Sequence, residues 1–169
     1  TRTCLQKKKF LNEKSEVAPR FCEATTSYID IRCAEILLNY AEAVVESNYS
    51  ANGAQTRAAE AINALRKRAG HTKDIPLTLD NVLRERRVEL AFENRRHWDL
   101  MRRREYQKEF NGRERLALMP VIDLRGEKPH YIFVRKLISR DGMKFFEPKA
   151  YYVWIPGTET TGITQNPLY

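Results

Sequence analysis

From Tyr28 to Gly70, apolar and small residues recur at steps of three and four, interrupted once by Ser50-Ala51-Asn52-Gly53. That period belongs to amphipathic helices, and two of them divided by one turn leave few folds open. Ser27 is placed to cap the first helix, which Ile29, Cys33, Ile36, Leu37, Tyr40, Ala41, Val44 and Val45 carry along one face to about Ser47. Ala54, Ala58, Ala61, Ile62, Leu65 and Ala69 mark the second, closed by Gly70 at the position where a left-handed cap is least costly. Helices of this length with so short a link form an antiparallel hairpin, and the alanines let the pair approach closely. The pattern matches helix-pair repeats of about 34 residues. One hairpin leaves a face unburied, so more helix has to follow.

Thr78 or Asp80 supplies the next cap, and Val82, Leu83, Leu90 and Phe92 extend a third helix to about Glu93. Asn94 tolerates a positive φ and suits a bend. A short fourth helix, Arg95 to about Glu105, then carries Trp98, Leu100 and Met101. Beyond Asn111-Gly112 the helical period fades. Leu116–Leu124, Tyr131–Leu137 and Tyr151–Ile155 are short apolar or aromatic runs separated by Gly126, Pro129, Gly142 and Pro148, which predicts strands or extended segments packed on the helices. The expected organisation is mainly α and one domain: an irregular lead-in over 1–27, a helix pair over 28–70, helices over 78–105, and an irregular region with short strands over 111–169. A chain of 169 residues buries roughly 68–70% of its unfolded surface, enough for a conventional core.

The formal charge of +8 raises the question of an anionic partner, but half of it sits in residues 1–20, where six basic residues face two acidic ones. The Lys7-Lys8-Lys9 run within it reads as a solvated segment. Cys4, Cys22 and Cys33 form no C-x-x-C pair and stand far from the histidines, so no zinc spacing is present. The odd count leaves at least one free thiol, and a Cys4–Cys22 disulfide is compatible with it. No apolar run reaches the length of a membrane-spanning helix, and no signal-peptide pattern opens the chain. A start at Thr1 instead of Met is the expectation for a piece of a longer protein.

The densest polar cluster runs from Glu85 to Glu93 and continues through Arg96, Asp99, Arg102 and Arg103. On one helix Glu85, Glu89 and Glu93 stack at four-residue steps beside the apolar stripe, where an unpaired carboxylate is costly. Two readings follow. Stacked carboxylates suit an acid/base pair or a metal site, but the His spacing of such sites is missing. An ion-pair network fixing the third and fourth helices uses the abundant arginines better. The eight arginines of Arg84–Arg104 with Trp98 among them resemble a phosphate-tracking strip, yet Glu85, Glu89, Glu93 and Asp99 lie in the same strip and repel phosphates. The late aromatics, Tyr151, Tyr152 and Trp154 above all, offer either a sugar-stacking platform or core for the last layer. Asn48-Tyr49-Ser50 fits the glycosylation sequon, which needs a eukaryotic secretory route. No Ser-His-Asp set, P-loop or Rossmann turn appears.

Four stretches together resemble the C-terminal portion of the SusD/RagB family of outer-membrane nutrient-binding lipoproteins. They are Ile31-Arg32-Cys33-Ala34-Glu35 with Asn39-Tyr40-Ala41-Glu42-Ala43; Ile62-Asn63-Ala64-Leu65-Arg66-Lys67-Arg68-Ala69-Gly70; Glu85 to Glu93 with Arg96, Trp98, Asp99, Leu100 and Arg102; and Ile155-Pro156 with Glu159 and Gln165-Asn166-Pro167-Leu168-Tyr169. Their order and spacing match over most of 28–169. Asn94 stands where the family usually has glycine, and Arg104 where an aromatic residue often follows the arginines.

The resemblance implies tetratricopeptide-like helix hairpins in an α-α superhelix, within a complete protein several times longer. It implies binding and not catalysis: capture of oligosaccharides, or in some members peptides, and their transfer to a SusC-like TonB-dependent transporter. It implies an outer-membrane, cell-surface location through a lipid anchor in a preceding part, since Cys4 lacks the apolar run a lipidation site requires. Arg32, Glu35, Arg86, Glu89, Glu93, Arg96, Asp99 and Arg102 carry over as a structural charge network. No cofactor or metal and no nucleic-acid partner is implied, and no ligand residue carries over, which leaves Tyr151, Tyr152 and Trp154 as the candidates. The alternatives are a helix-pair scaffold for a protein or peptide and a basic nucleic-acid-binding domain.

Overall fold

Alanine sets how closely the first two helices meet. The computed structural model describes residues 9, 29–114, 116–137, 145–157 and 162–166. Two compact units divide the chain, Lys9–Trp98 and one that holds Asp99–Tyr169. In the first, α1 (Cys33–Glu46) and α2 (Ala54–Arg68) fold back on each other through a connection that includes a 3-10 turn at Ala51–Gly53. Ala41, Ala54 and Ala58 are almost wholly buried in their contact, with Leu38 and Ile62 filling the space between. α3 (Leu79–Glu89) closes this core with Val82, and Leu90 follows it in. The Thr78 hydroxyl caps α3 by accepting from the Asn81 amide at 3.3 Å. Buried Asn63 pins the preceding connector: it donates to the Ile75 carbonyl at 3.1 Å and accepts from the Ile75 amide at 2.9 Å.

Three helices end in the same way. The amide of Tyr49 reaches back to the Val44 carbonyl, that of His71 to Arg66, and that of Glu105 to Leu100. Each closes a Schellman turn whose penultimate residue takes a left-handed conformation: Asn48 at φ 51°, Gly70 at 90° and Arg104 at 57°. Asparagine and glycine are ordinary occupants of that position. Arginine is not.

α4 (Arg95–Arg102) spans the boundary between the units in sequence. The second unit then holds α5 (Tyr106–Phe110), an antiparallel hairpin of β1 (Leu116–Asp123) and β2 (His130–Leu137), and a 3-10 turn at Pro148–Tyr151. Register runs from Leu116 opposite Leu137 to Asp123 opposite His130. At the hairpin mouth Asp123 accepts from the Arg125 amide at 3.0 Å and from its guanidinium at 2.8 and 2.6 Å. Those bonds hold the Asp123 carboxyl below the usual range. One face of the hairpin, with Leu116, Leu118, Ile122, Tyr131, Phe133 and Leu137, is exposed.

The mainly helical fold with a small late sheet agrees with the reading from periodicity and resemblance. The details differ in instructive places. α1 begins at Cys33 and not at Tyr28, because Arg32 is extended (φ −141°, ψ 161°) and its side chain is held by glutamates elsewhere. The buried stripe of α1 is Ala34, Leu38, Ala41 and Val44, whereas Cys33 and Ile36 of the expected stripe are exposed. Close packing on the α2 alanines favours the face with the smaller residues. α3 stops at Glu89, four residues early, because Phe92 and Asn94 both turn left-handed. Phe92, expected in the core, is 67% exposed. α4 stops at Arg102, and α5 is an additional helix. Of the two alternatives for Tyr151–Ile155, strand or extended segment, the structure has the second: Tyr151 ends a 3-10 turn and Tyr152 after it is extended. Cys33 is a free thiol, while Ser27, Cys4 and Cys22 lie outside the described residues. No described helix is long and apolar enough to cross a membrane.

Candidate functional site

In the first unit two carboxylates of the polar cluster, Glu89 and Glu93, converge on Arg32, which enters from the residue before α1. Its Nε stands 2.8 Å from Glu93, its Nη1 2.7 Å from Glu89, and its Nη2 donates to the Glu89 carbonyl at 2.8 Å. Because α3 ends at Glu89, Glu93 does not stack above it. The left-handed turn brings Glu93 round instead, so one planar guanidinium serves both acids. Lys9, expected in a solvated run, pairs with Glu93 and donates to the carbonyls of Glu89 and Ala91 at 3.0 Å each. Two cations thus satisfy carbonyls at the negative end of α3. Arg68 and Arg66 of α2 complete the α3 side, at 2.5 Å from Glu89 and Glu85 respectively.

A second group lies along α1. Buried Arg86 donates to Asn39 and stands 3.9 Å from both Glu35 and Glu42. Arg95 adds ion pairs to Glu35 at 3.2 Å and Asp30 at 3.3 Å. Arg96 is half-buried. Asp99 and Arg102, in the second unit, pair with one another at 3.4 Å. Of the eight residues expected to share a network, the structure therefore joins Arg32 with Glu89 and Glu93, Arg86 with Glu35, and Asp99 with Arg102. The members that spacing did not reveal are Lys9, Glu42, Arg66, Arg68 and Arg95, brought in from elsewhere in the chain. Among the described residues, no cluster of three or more His, Cys, Asp or Glu is arranged to hold a metal ion.

Burial pushes the Glu93 carboxyl up, but hydrogen bonds from Arg32 and then Lys9 outweigh it and leave the group below the ordinary carboxylate range. The folded state thus releases this proton at lower pH than the unfolded chain, whose value is about 4.3. The stability Glu93 contributes is complete above that value and is lost as pH falls through the folded one. Melting temperature, followed by circular dichroism from about pH 7 to about pH 3, is expected to fall more steeply in the wild type than in Glu93→Gln. Parallel curves would remove Glu93 from this role.

The aromatic candidates sit in the second unit on a separate scaffold. The Tyr151 hydroxyl accepts from the Tyr106 amide at 3.0 Å, and its ring meets Phe146 edge-on at 4.7 Å. Phe146 stacks on Tyr106 at 4.6 Å, and its backbone is held at both the amide and the carbonyl by the Asn111 side chain. Gln165 clamps Ile155 from both sides at 2.9 Å, and Asn166 holds the Val153 carbonyl. Tyr151 is half-buried by this packing, while Tyr152 and Trp154 remain 37% and 53% exposed. The Arg104 guanidinium lies over both tyrosines, 4.7 Å from the Tyr151 centroid and 4.8 Å from that of Tyr152. Its place in the sequence, where a ring often follows the arginines, was the one available signal for it.

A family model described as the SusD family matches residues 1–169, the whole chain. No curated protein and no solved structure matches it. SusD/RagB proteins are binding proteins of the outer-membrane cell surface, known for glycan binding in nutrient uptake. A helix hairpin built on alanine, a short late β-hairpin and the family match along the full length agree, and the chain belongs to the SusD/RagB family.

Proposed function

We propose that this chain is part of a lipid-anchored cell-surface protein that captures oligosaccharides and passes them to a SusC-like TonB-dependent transporter. The observation that carries the reading is the family match over all 169 residues. The charge network supports it in a negative way: its carboxylates are held by arginine or lysine, which suits an architectural role better than proton transfer. The ring surface of Trp154 and Tyr152, on a segment clamped by Gln165 and Asn166, is of the kind that takes the C–H face of a sugar.

The test is titration of the full-length protein with a panel of oligosaccharides, with this 169-residue chain alone as a second sample. Binding by the full-length protein is expected, and Trp154→Ala should weaken it if the ligand reaches this segment. Binding by the full-length protein that Trp154→Ala leaves unchanged places the sugar elsewhere. A second reading, a scaffold for a protein or peptide, draws on the exposed apolar side of the first unit, where Ile29, Ile31 and Ile36 are 43%, 67% and 55% exposed. It predicts a stable protein complex and no saccharide affinity.

A further inference from the structure

We propose that Arg104 recognises an oxyanion on the saccharide, either the carboxylate of a uronic acid or a sulfate ester. This inference rests on the glycan-binding reading and names the chemical class of the ligand.

The backbone gives the first argument. The three Schellman ends among the described residues carry Asn48, Gly70 and Arg104 at their left-handed position. For asparagine and glycine the local conformation explains the residue. For arginine it does not, since a Cβ at φ 57° is strained and glycine would fit better. What holds arginine in such a place is the use made of its side chain.

Its surroundings give the second. Three arginines follow one another at the end of α4, and two have acidic partners: Arg102 pairs with Asp99 at 3.4 Å and Arg103 with Glu105 at 3.5 Å. Arg104 has none among the described residues. Its guanidinium instead lies over the rings of Tyr151 and Tyr152, with a hydrogen bond at 3.4 Å to the Tyr152 hydroxyl. Stacking on aromatic faces orients a guanidinium without neutralising it, and the other N–H donors of the fork stay available.

Rigidity is the third. Tyr151 is fixed through Tyr106 and Phe146, and the following chain through Gln165 and Asn166. An exposed cation on so fixed a base loses little freedom when an anion arrives. A planar fork of donors matches the paired oxygens of a carboxylate or sulfate. Tyr152 and Trp154, exposed on the same segment, supply ring surface for the sugar that carries the anion.

The experiment is calorimetric titration of the full-length protein with three oligosaccharides of matched length: a uronic acid oligomer, a sulfated oligomer and a neutral one. One acidic oligomer is expected to bind about tenfold or more tightly than the neutral one, with an advantage that shrinks as salt is added. The better of the two acids identifies the group as carboxylate or sulfate. Arg104→Gly should abolish the advantage without lowering the melting temperature, because glycine relieves the backbone. Arg104→Lys keeps the charge, loses the fork and should retain only part of the preference, which provides the same test should the glycine variant fold poorly.

Equal affinity for acidic and neutral oligomers, or an advantage that survives in Arg104→Gly, overturns the inference and leaves the glycan reading intact. Absence of binding to every saccharide overturns both. Binding of an acidic peptide in their place would also refute the saccharide assignment.

Discussion

Arg32→Ala should lower stability by about 3 kcal/mol, the low end of the range for breaking a buried pair. One side chain closes two ion pairs and caps a helix carbonyl, so its removal strands Glu93, whose side chain is 3% exposed, and loosens Glu89 at 11%. Lys9 and Arg68 remain on those acids and keep the loss from being larger. For a chain of this length the change corresponds to roughly 6–12 °C in melting temperature. A double-mutant cycle with Glu93→Ala isolates the shared part, since the two losses should add to much more than the double variant shows. Simple additivity would mean that the pair contributes nothing of its own.

Leu38→Ala should do comparable damage by a different route. Leu38 is wholly buried between α1 and α2, and truncation leaves a cavity that the small neighbours Ala41, Ala54 and Ala58 are unable to fill. The expected loss is about 2–5 kcal/mol. Ile36→Ala, on the stripe that periodicity favoured, should cost less than about 0.5 kcal/mol because Ile36 is 55% exposed. Urea denaturation of the two variants side by side decides which face of α1 is inside. Equal midpoints would contradict the packing described.

What the sequence disclosed and what it hid divide along a physical line. The α2 stripe, the Gly70 stop and both strands of the hairpin follow from local pattern and were legible, as was the cap of α3 to within two choices, Thr78 or Asp80, of which Thr78 serves. The inward face of α1 was legible only in part: Leu37, Tyr40, Ala41, Val44 and Val45 of the expected stripe lie in or against the core, but the start of α1 is apolar on two sides, and there Ala34 and Leu38 turn inward in place of Cys33 and Ile36. The end of α3 was missed for a similar reason: Phe92 has no intrinsic preference for a left-handed turn, and Arg32 and Lys9, distant in sequence, hold Glu89, Ala91 and Glu93 around it. Of the charge network, spacing on one element gave Glu85, Glu89 and Arg86, whereas pairing across elements, such as Arg66 with Glu85 or Arg95 with Glu35, is invisible to spacing. Tyr151 and Tyr152 stood out as aromatics, but the guanidinium resting on both depends on how α4 ends.

The Lys9 clamp also bears on how fast the fold comes and goes. Lys9 meets the Glu89 carbonyl across 80 residues of chain and the Ala91 carbonyl across 82, and those carbonyls are in place only after α3 and its turn have formed. A contact that closes so long a loop and needs a finished receptor belongs after the rate-limiting step of folding. Its loss would then leave the folding rate nearly untouched and appear almost entirely as faster unfolding. The lysine thus acts as a late latch on the first unit, setting how long the assembled helices last and not how soon they assemble.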